Sequence, residues 1–240
     1  ARGLAFMNSM LIKHRQYDKH ENVRIMIPRS VVIATEYFDE FIRRNGLQYI
    51  ISQEFSDEEI LSEFVSSTLP YKLREALKAY VRTVSGPLAV RSSSKLEDSH
   101  YQPFAGIYST YMIPYTEGNE DRQLRLLQKA IKSVYASTYF AASKAYVQSS
   151  QNLIAEEKMA VVIQEVCGTE QDGLFFPTLS GVARSINYYP IGDETPEEGV
   201  CNIALGLGKL VVDGGRTLRF SPRYPQKVLQ TSTPELALRD

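Results

Sequence analysis

The chain has 240 residues, 43% of them hydrophobic and 23% charged, which is the make-up of an ordinary globular protein large enough for one sizeable core or two small lobes. Its 27 Lys+Arg and 28 Asp+Glu nearly cancel, leaving no basic footprint for a nucleic acid. No apolar run reaches the ~20 residues of a membrane helix, and no charged-then-apolar leader opens the chain.

Leu4, Met7, Leu11 and His14 share one helical face and predict an opening helix. Ile25 to Ala34 is β-branched and apolar around Pro28, which predicts an extended segment ending in a strand at Ser30 to Ala34. Thr35 is placed to cap a helix carrying Phe38, Phe41 and Ile42, stopped at Asn45-Gly46. Ser56 and Glu59 have capping-box spacing, with Phe55 and Ile60 where a hydrophobic staple would close it. Pro70 opens a further helix with Leu73, Leu77, Tyr80, Val81 and Val84 on one stripe, ended by Gly86-Pro87. Leu88 to Arg91 then reads as a short buried strand.

From about Asn119 to Val147 the 3–4 spacing of Leu124, Leu127, Ile131, Val134, Thr138, Ala141 and Ala145 predicts one long helix. Strand patterns follow at Lys158 to Val166, Ser180 to Tyr188, Val200 to Ala204 and Arg216 to Phe220. Helices first and strands second give an α+β class rather than alternating βαβ units, with a helix-rich lobe over 1–150 and a strand-rich, mainly antiparallel lobe over 151–240. The opening Ala1-Arg2-Gly3-Leu4 and the close from Pro234 to Asp240 suggest a fragment of a longer protein.

Few residue sets carry chemistry by themselves. Cys167 and Cys201 form no disulfide framework, which fits a reducing cytoplasm, and His14, His20 and His100 have no zinc-ligand spacing. Gly206-Leu207-Gly208-Lys209 is not a phosphate-binding P-loop, because Ile203 and Leu210 stand where that motif needs Gly and Ser or Thr. It is either a plain turn between two strands or one that faces a ligand. Val90-Arg91-Ser92-Ser93-Ser94 offers a guanidinium fork, hydroxyls and turn amides together, a sensible phosphate cradle. From spacing alone, an arginine paired with Glu97 and Asp98 at a loop is the favoured reading. Phe104-Ala105-Gly106 fits close approach to a ligand or a bulge. Gln164-Glu165-Val166 fits a purine edge or a strand emerging into solvent.

The order of these segments is more specific than any one of them. Arg2-Gly3-Leu4-Ala5, Pro28 to Ile33, Ala89 to Asp98, Phe104-Ala105-Gly106, Val162 to Val166, Ser180-Gly181-Val182-Ala183 and Gly206 to Gly214 together resemble the N-terminal ATP-binding domain of phosphoenolpyruvate synthase and pyruvate phosphate dikinase, over nearly the whole chain. The resemblance implies an ATP-grasp-like fold with two lobes around a nucleotide cleft, and ATP with Mg²⁺ as ligands. It implies that Arg91, Ser92 and Ser93 bind phosphate and that Gln164, Glu165 and Val166 line the adenine slot. Asp213 and Arg216 would touch nucleotide or phosphate, Arg91 and Arg216 would act in catalysis, and Asn202 would lie near the metal.

In that family ATP phosphorylates a carrier histidine on a separate domain, which then serves a pyruvate-binding domain of the same chain. None of His14, His20 or His100 has the context of that carrier. The chain also departs from the family. Its lysine near the N-terminus would precede Ala1, Lys209 stands where a Glu is usual, and Arg184-Ser185-Ile186 replaces a Phe-Ser/Thr-Arg pattern. Lys209 cannot ligate Mg²⁺ and Asn202 is a weak, neutral ligand. The alternative to a dikinase is therefore a degenerate nucleotide-binding or regulatory module.

Overall fold

The computed structural model describes residues 2–14, 21–94, 108–149, 157–212, 215, 217–231 and 234. The chain divides into two units, Ala1–Val166 and Cys167–Asp240. Among the described residues all strand pairings in both are antiparallel, and with the helices they make an α+β protein.

The first unit is built on a four-stranded sheet. Its strands are β1 (Ser30–Ile33), β2 (Leu88–Ser94), β3 (Tyr111–Ile113) and β4 (Met159–Glu165), in the order β1-β4-β2-β3. The Lys158 to Val166 run, expected in the second lobe, thus forms an inner strand of the first unit's sheet. Burial on both faces explains why it reads as continuously apolar: Val161, Val162 and Ile163 are all buried.

The helices are α1 (Arg2–Lys13), α2 (Thr35–Arg44), α3 (Tyr49–Ser52), α4 (Asp57–Ser66), α5 (Tyr71–Val81), α6 (Glu120–Ser137) and α7 (Ala141–Ser149). One core joins α2, α4, α5 and α6 to one face of the sheet, through Phe38, Phe41, Ile60, Phe64, Leu77, Leu127, Ile131 and Tyr135 against Leu88, Val90, Val161 and Ile163. Phe41 is at its centre, with ring centroids 5.7 Å from Phe64 and 5.5 Å from Tyr135. No residue of α1 is buried.

Local signals account for some helix ends, and contacts distant in sequence for others. The capping box forms as expected: Glu59 N–H donates to Ser56 Oγ at 3.3 Å, and Ser56 N–H donates to Glu59 Oε2 at 2.8 Å. The Ser56 backbone bond, then the hydroxyl, hold the Glu59 carboxyl below its ordinary range. Asn45 ends α2, its Nδ2 donating to Phe41 O at 2.8 Å, and Gly46 follows at φ +65°. Lys132 of α6 closes the end of α4 by donating to Val65 O and Ser67 O, and burial lowers its affinity for a proton.

Three expectations about these helices and β2 are corrected. Thr35 is the first residue of α2 rather than its cap, because the extended residue between β1 and the helix is Ala34, at φ −71° and ψ 160°. The long helix is two. After Ser137 the amides of Thr138, Tyr139 and Phe140 bond three residues back, and Asp57 Oδ1 accepts from Ala141 N–H at 2.8 Å to start α7. Periodicity continues across that break because both helices face one core, so it conceals the corner. β2 also runs on through Ser94, where a turn was expected after Arg91.

The second unit holds a two-stranded hairpin, β5 (Thr169–Gln171) and β6 (Leu174–Phe176), and a sheet of β7 (Leu179–Arg184), β8 (Val200–Leu205) and β9 (Leu218–Phe220) in that order. Asp172 (φ 51°) and Gly173 (φ 76°) make the hairpin turn, a dipeptide signal that the strand patterns overlooked. β7 stops at Arg184 instead of continuing to Tyr188. At residues 187–198 the chain is held by side-chain bonds and a 3₁₀ turn at Pro196–Glu198. The Gly206 turn (φ +72°) leads from β8 into the short helix α8 (Lys209–Val212), not into a strand.

Candidate functional site

The register of β2 on β4 decides which expected site residues can act together. Arg91 lies opposite Val162, Ser93 opposite Ala160, and Gln164 opposite Ala89. Directly paired residues share a face, and successive residues alternate. Arg91, Ser93 and Gln164 therefore stand on one face of the sheet, with Ala89, Ala160 and Val162 between them. Ser30 and Val32 of β1 continue that face, because they pair with Gln164 and Val162. It is the face away from the helical core: Ala89 and Val162 are buried but outside the core cluster, while Ser30, Val32 and Arg91 are exposed. Arg91 and Gln164 are diagonal neighbours, about 7–8 Å apart by ordinary strand spacing.

Ser92 and Glu165 belong to the opposite face. Ser92 alternates with Val90 toward the helices, so it does not share a surface with Arg91. The serines are strand residues paired with Met159 to Val161, and not a turn whose amides converge on an anion. Glu165 forms an ion pair with Arg29, Nε to Oε1 at 3.1 Å, and its negative charge adds to burial in raising the nearby Tyr80 phenol. Val166 N–H donates to Pro87 O at 2.9 Å. On the Arg91 face, Gln164 Nε2 donates to Ser30 Oγ at 3.0 Å, and Ser30 Oγ donates to Pro28 O at 2.8 Å. Sequence reasoning passed over Arg29 and Ser30 as partners. The signal was their place just ahead of an apolar strand, which only the β1–β4 register turns into contacts.

The remaining expected residues are in the second unit or outside the described set. Asn202 lies on β8 between Val182 and Arg219, its direct partners. Sharing a face with a guanidinium is poor ground for a cation site. Among the described residues no group of three or more His, Cys, Asp or Glu side chains could hold a metal ion. Asn202, a neutral amide, is by itself a weak ligand for Mg²⁺. Lys209 begins α8. Asp213, Arg216, Glu97, Asp98 and Phe104-Ala105-Gly106 lie outside the described residues.

Arg219 is instead the hub of a polar cluster that sequence reasoning missed. Its guanidinium donates to Glu194 Oε1 (3.3 Å) and Oε2 (2.9 Å), to Asn187 Oδ1 (3.2 Å) and to Tyr189 O (3.0 Å). Glu194 also accepts from Asn187 Nδ2 (2.8 Å) and Ile191 N–H (3.1 Å). The Arg219 bonds, more than the others, hold the Glu194 carboxyl below its ordinary range against the opposing effect of burial. A cavity of about 370 Å³ at the start of α6 is separate from the expected residues. Arg82, Glu120 and Asp121 line it, and Arg82 Nε donates to Glu120 Oε2 at 3.2 Å.

An exposed arginine, a hydroxyl and an amide thus lie on one face of an antiparallel sheet in an α+β unit, spaced across apolar residues. The family of the pyruvate phosphate dikinase AMP/ATP-binding domain matches residues 7–232, and the chain belongs to that family. It is similar to an uncharacterized phosphotransferase, YvkC, of Bacillus subtilis (strain 168), 34% identical over 199 residues that are 80% of this chain and 20% of that protein. It is also similar to a phosphoenolpyruvate synthase of Aeropyrum pernix, 27% identical over 212 residues that are 79% of this chain and 24% of that protein. The chain thus spans about a quarter or less of the length of these relatives. No helix among the described residues is long and apolar enough to cross a membrane.

Proposed function

We propose that this domain binds ATP on the Arg91 face of its first sheet and supplies phosphate to a carrier histidine on a separate domain of a longer, dikinase-like phosphotransferase. The observation that carries this is the shared face of Arg91, Ser93 and Gln164. The guanidinium gives a bidentate fork for phosphate oxygens and Ser93 adds a hydroxyl on the same face. Family membership supports the nucleotide, and the two relatives' names support phosphotransfer. An ATP-grasp arrangement, pyruvate as the final acceptor, Mg²⁺ as the accompanying ion and a cytoplasmic setting belong to the same proposal. So do contacts from Asp213 and Arg216.

Positioning the phosphates and neutralising developing charge are what the protein contributes to such a transfer. Of the residues named, Arg91 and Arg216 have the charge for both. Arg91→Ala should weaken ATP binding by about 1.5–3 kcal/mol, measured by titration calorimetry. Unchanged affinity refutes the assignment. With ATP and Mg²⁺, the intact protein should label a histidine and release AMP.

A second reading has its own observation. Asn202, where the resemblance calls for a metal ligand, is a neutral amide and lies opposite Arg219, whose guanidinium is held by Glu194. This favours a domain that binds nucleotide to regulate rather than to transfer phosphate. ATP binding without histidine labelling or AMP release would select it.

A further inference from the structure

The direction of the two hydrogen bonds at Ser30 fixes which way the Gln164 amide points. Pro28 O can only accept, so the Ser30 hydroxyl hydrogen is directed there, at 2.8 Å. What Ser30 Oγ then offers Gln164, 3.0 Å away, is a lone pair. The Gln164 group nearest it must therefore be the NH₂, and the planar amide turns Oε1 away from Ser30. Gln164 is on the Arg91 face, so this oxygen is an acceptor presented on the surface assigned above to the nucleotide.

We infer that Ser30 is a positioning residue that locks Gln164 as a hydrogen-bond acceptor and thereby makes the base site prefer adenine over guanine. The inference rests on the ATP-binding proposal above. Adenine carries a 6-amino donor that an amide oxygen satisfies. Guanine carries a 6-oxo acceptor, which would meet oxygen against oxygen and stay unpaired. A site built around one hydrogen-bonding pattern rejects the ligand that lacks it because a polar group is left unsatisfied. Without the serine, the Gln164 amide can turn over and present its NH₂ to guanine instead.

The test is calorimetric titration of ATP and of GTP into the wild-type protein, Ser30→Ala and Ser30→Thr. The wild type should favour ATP. Ser30→Ala should lower the ATP-over-GTP ratio about three- to tenfold, the range one such hydrogen bond spans. Ser30→Thr keeps the hydroxyl and should restore the ratio. A purely structural role for Ser30 would weaken both nucleotides together and leave the ratio alone. An unchanged ratio in Ser30→Ala, or a wild type indifferent to the base, overturns the inference while ATP binding stands. A wild type that binds neither nucleotide overturns the ATP-binding proposal and this inference with it.

Discussion

Replacing Arg219 with Met removes a charge that four hydrogen bonds place among Glu194, Asn187 and Tyr189 while keeping a side chain of similar length. The side chains of Arg219 and Glu194 are 20% and 12% exposed. An exposed ion pair is worth at most about 1 kcal/mol, and breaking a fully buried one costs about 3–5 kcal/mol. Glu194 would keep its bonds from Asn187 Nδ2 and Ile191 N–H, which limits the loss. Arg219→Met should therefore cost about 2–3 kcal/mol at neutral pH.

The sequence contains no tryptophan, so urea unfolding is best followed by far-ultraviolet circular dichroism. A double-mutant cycle with Glu194→Gln should show coupling of about 1–3 kcal/mol. The pH dependence has a definite sign. The Glu194 carboxyl is held below its ordinary range in the folded state. Its contribution is therefore complete above the unfolded-state value and is lost as pH falls through the lower folded value. Arg219→Met should accordingly lose less stability on acidification than the wild type. A variant within about 0.5 kcal/mol of wild type at neutral pH, with the same acid dependence, would refute this account of the cluster.

Asp57→Ala removes the acceptor that starts α7 and should cost about 1 kcal/mol in urea unfolding. Asp57→Asn keeps an acceptor oxygen and should recover most of it. Phe41→Ala opens a cavity between Phe64 and Tyr135 and should cost about 3–5 kcal/mol, read as a lowered unfolding midpoint.

What could be read from the residues was what is local. The Ser56–Glu59 box, the α5 stripe and the apolar β4 run each depend on neighbours a few positions away, and each formed. The α6–α7 corner depends on Asp57, 84 positions from Ala141, and no window of spacing contains both. The family order pointed to Arg91, Ser92, Ser93, Gln164 and Glu165 without saying which of them face the same way. Strand alternation separates neighbours in sequence, so Arg91 and Ser92 part company while Arg91 and Gln164 come together. Serines favour turns by propensity, and at Ser92 to Ser94 pairing with β4 overrides that preference.

The place of β4 also governs how the chain can come off the ribosome. Among the described residues β1 joins its sheet only through β4, and β2 has β4 along its whole length but β3 along only three residues. The first 150 residues, though helix-rich and large enough for a core, would emerge with β1 unpaired and one edge of β2 bare. Such edges recruit strands from other chains. Completion of the first unit must wait for the strand at Met159–Glu165, so an expression boundary belongs after Val166 and not near residue 150.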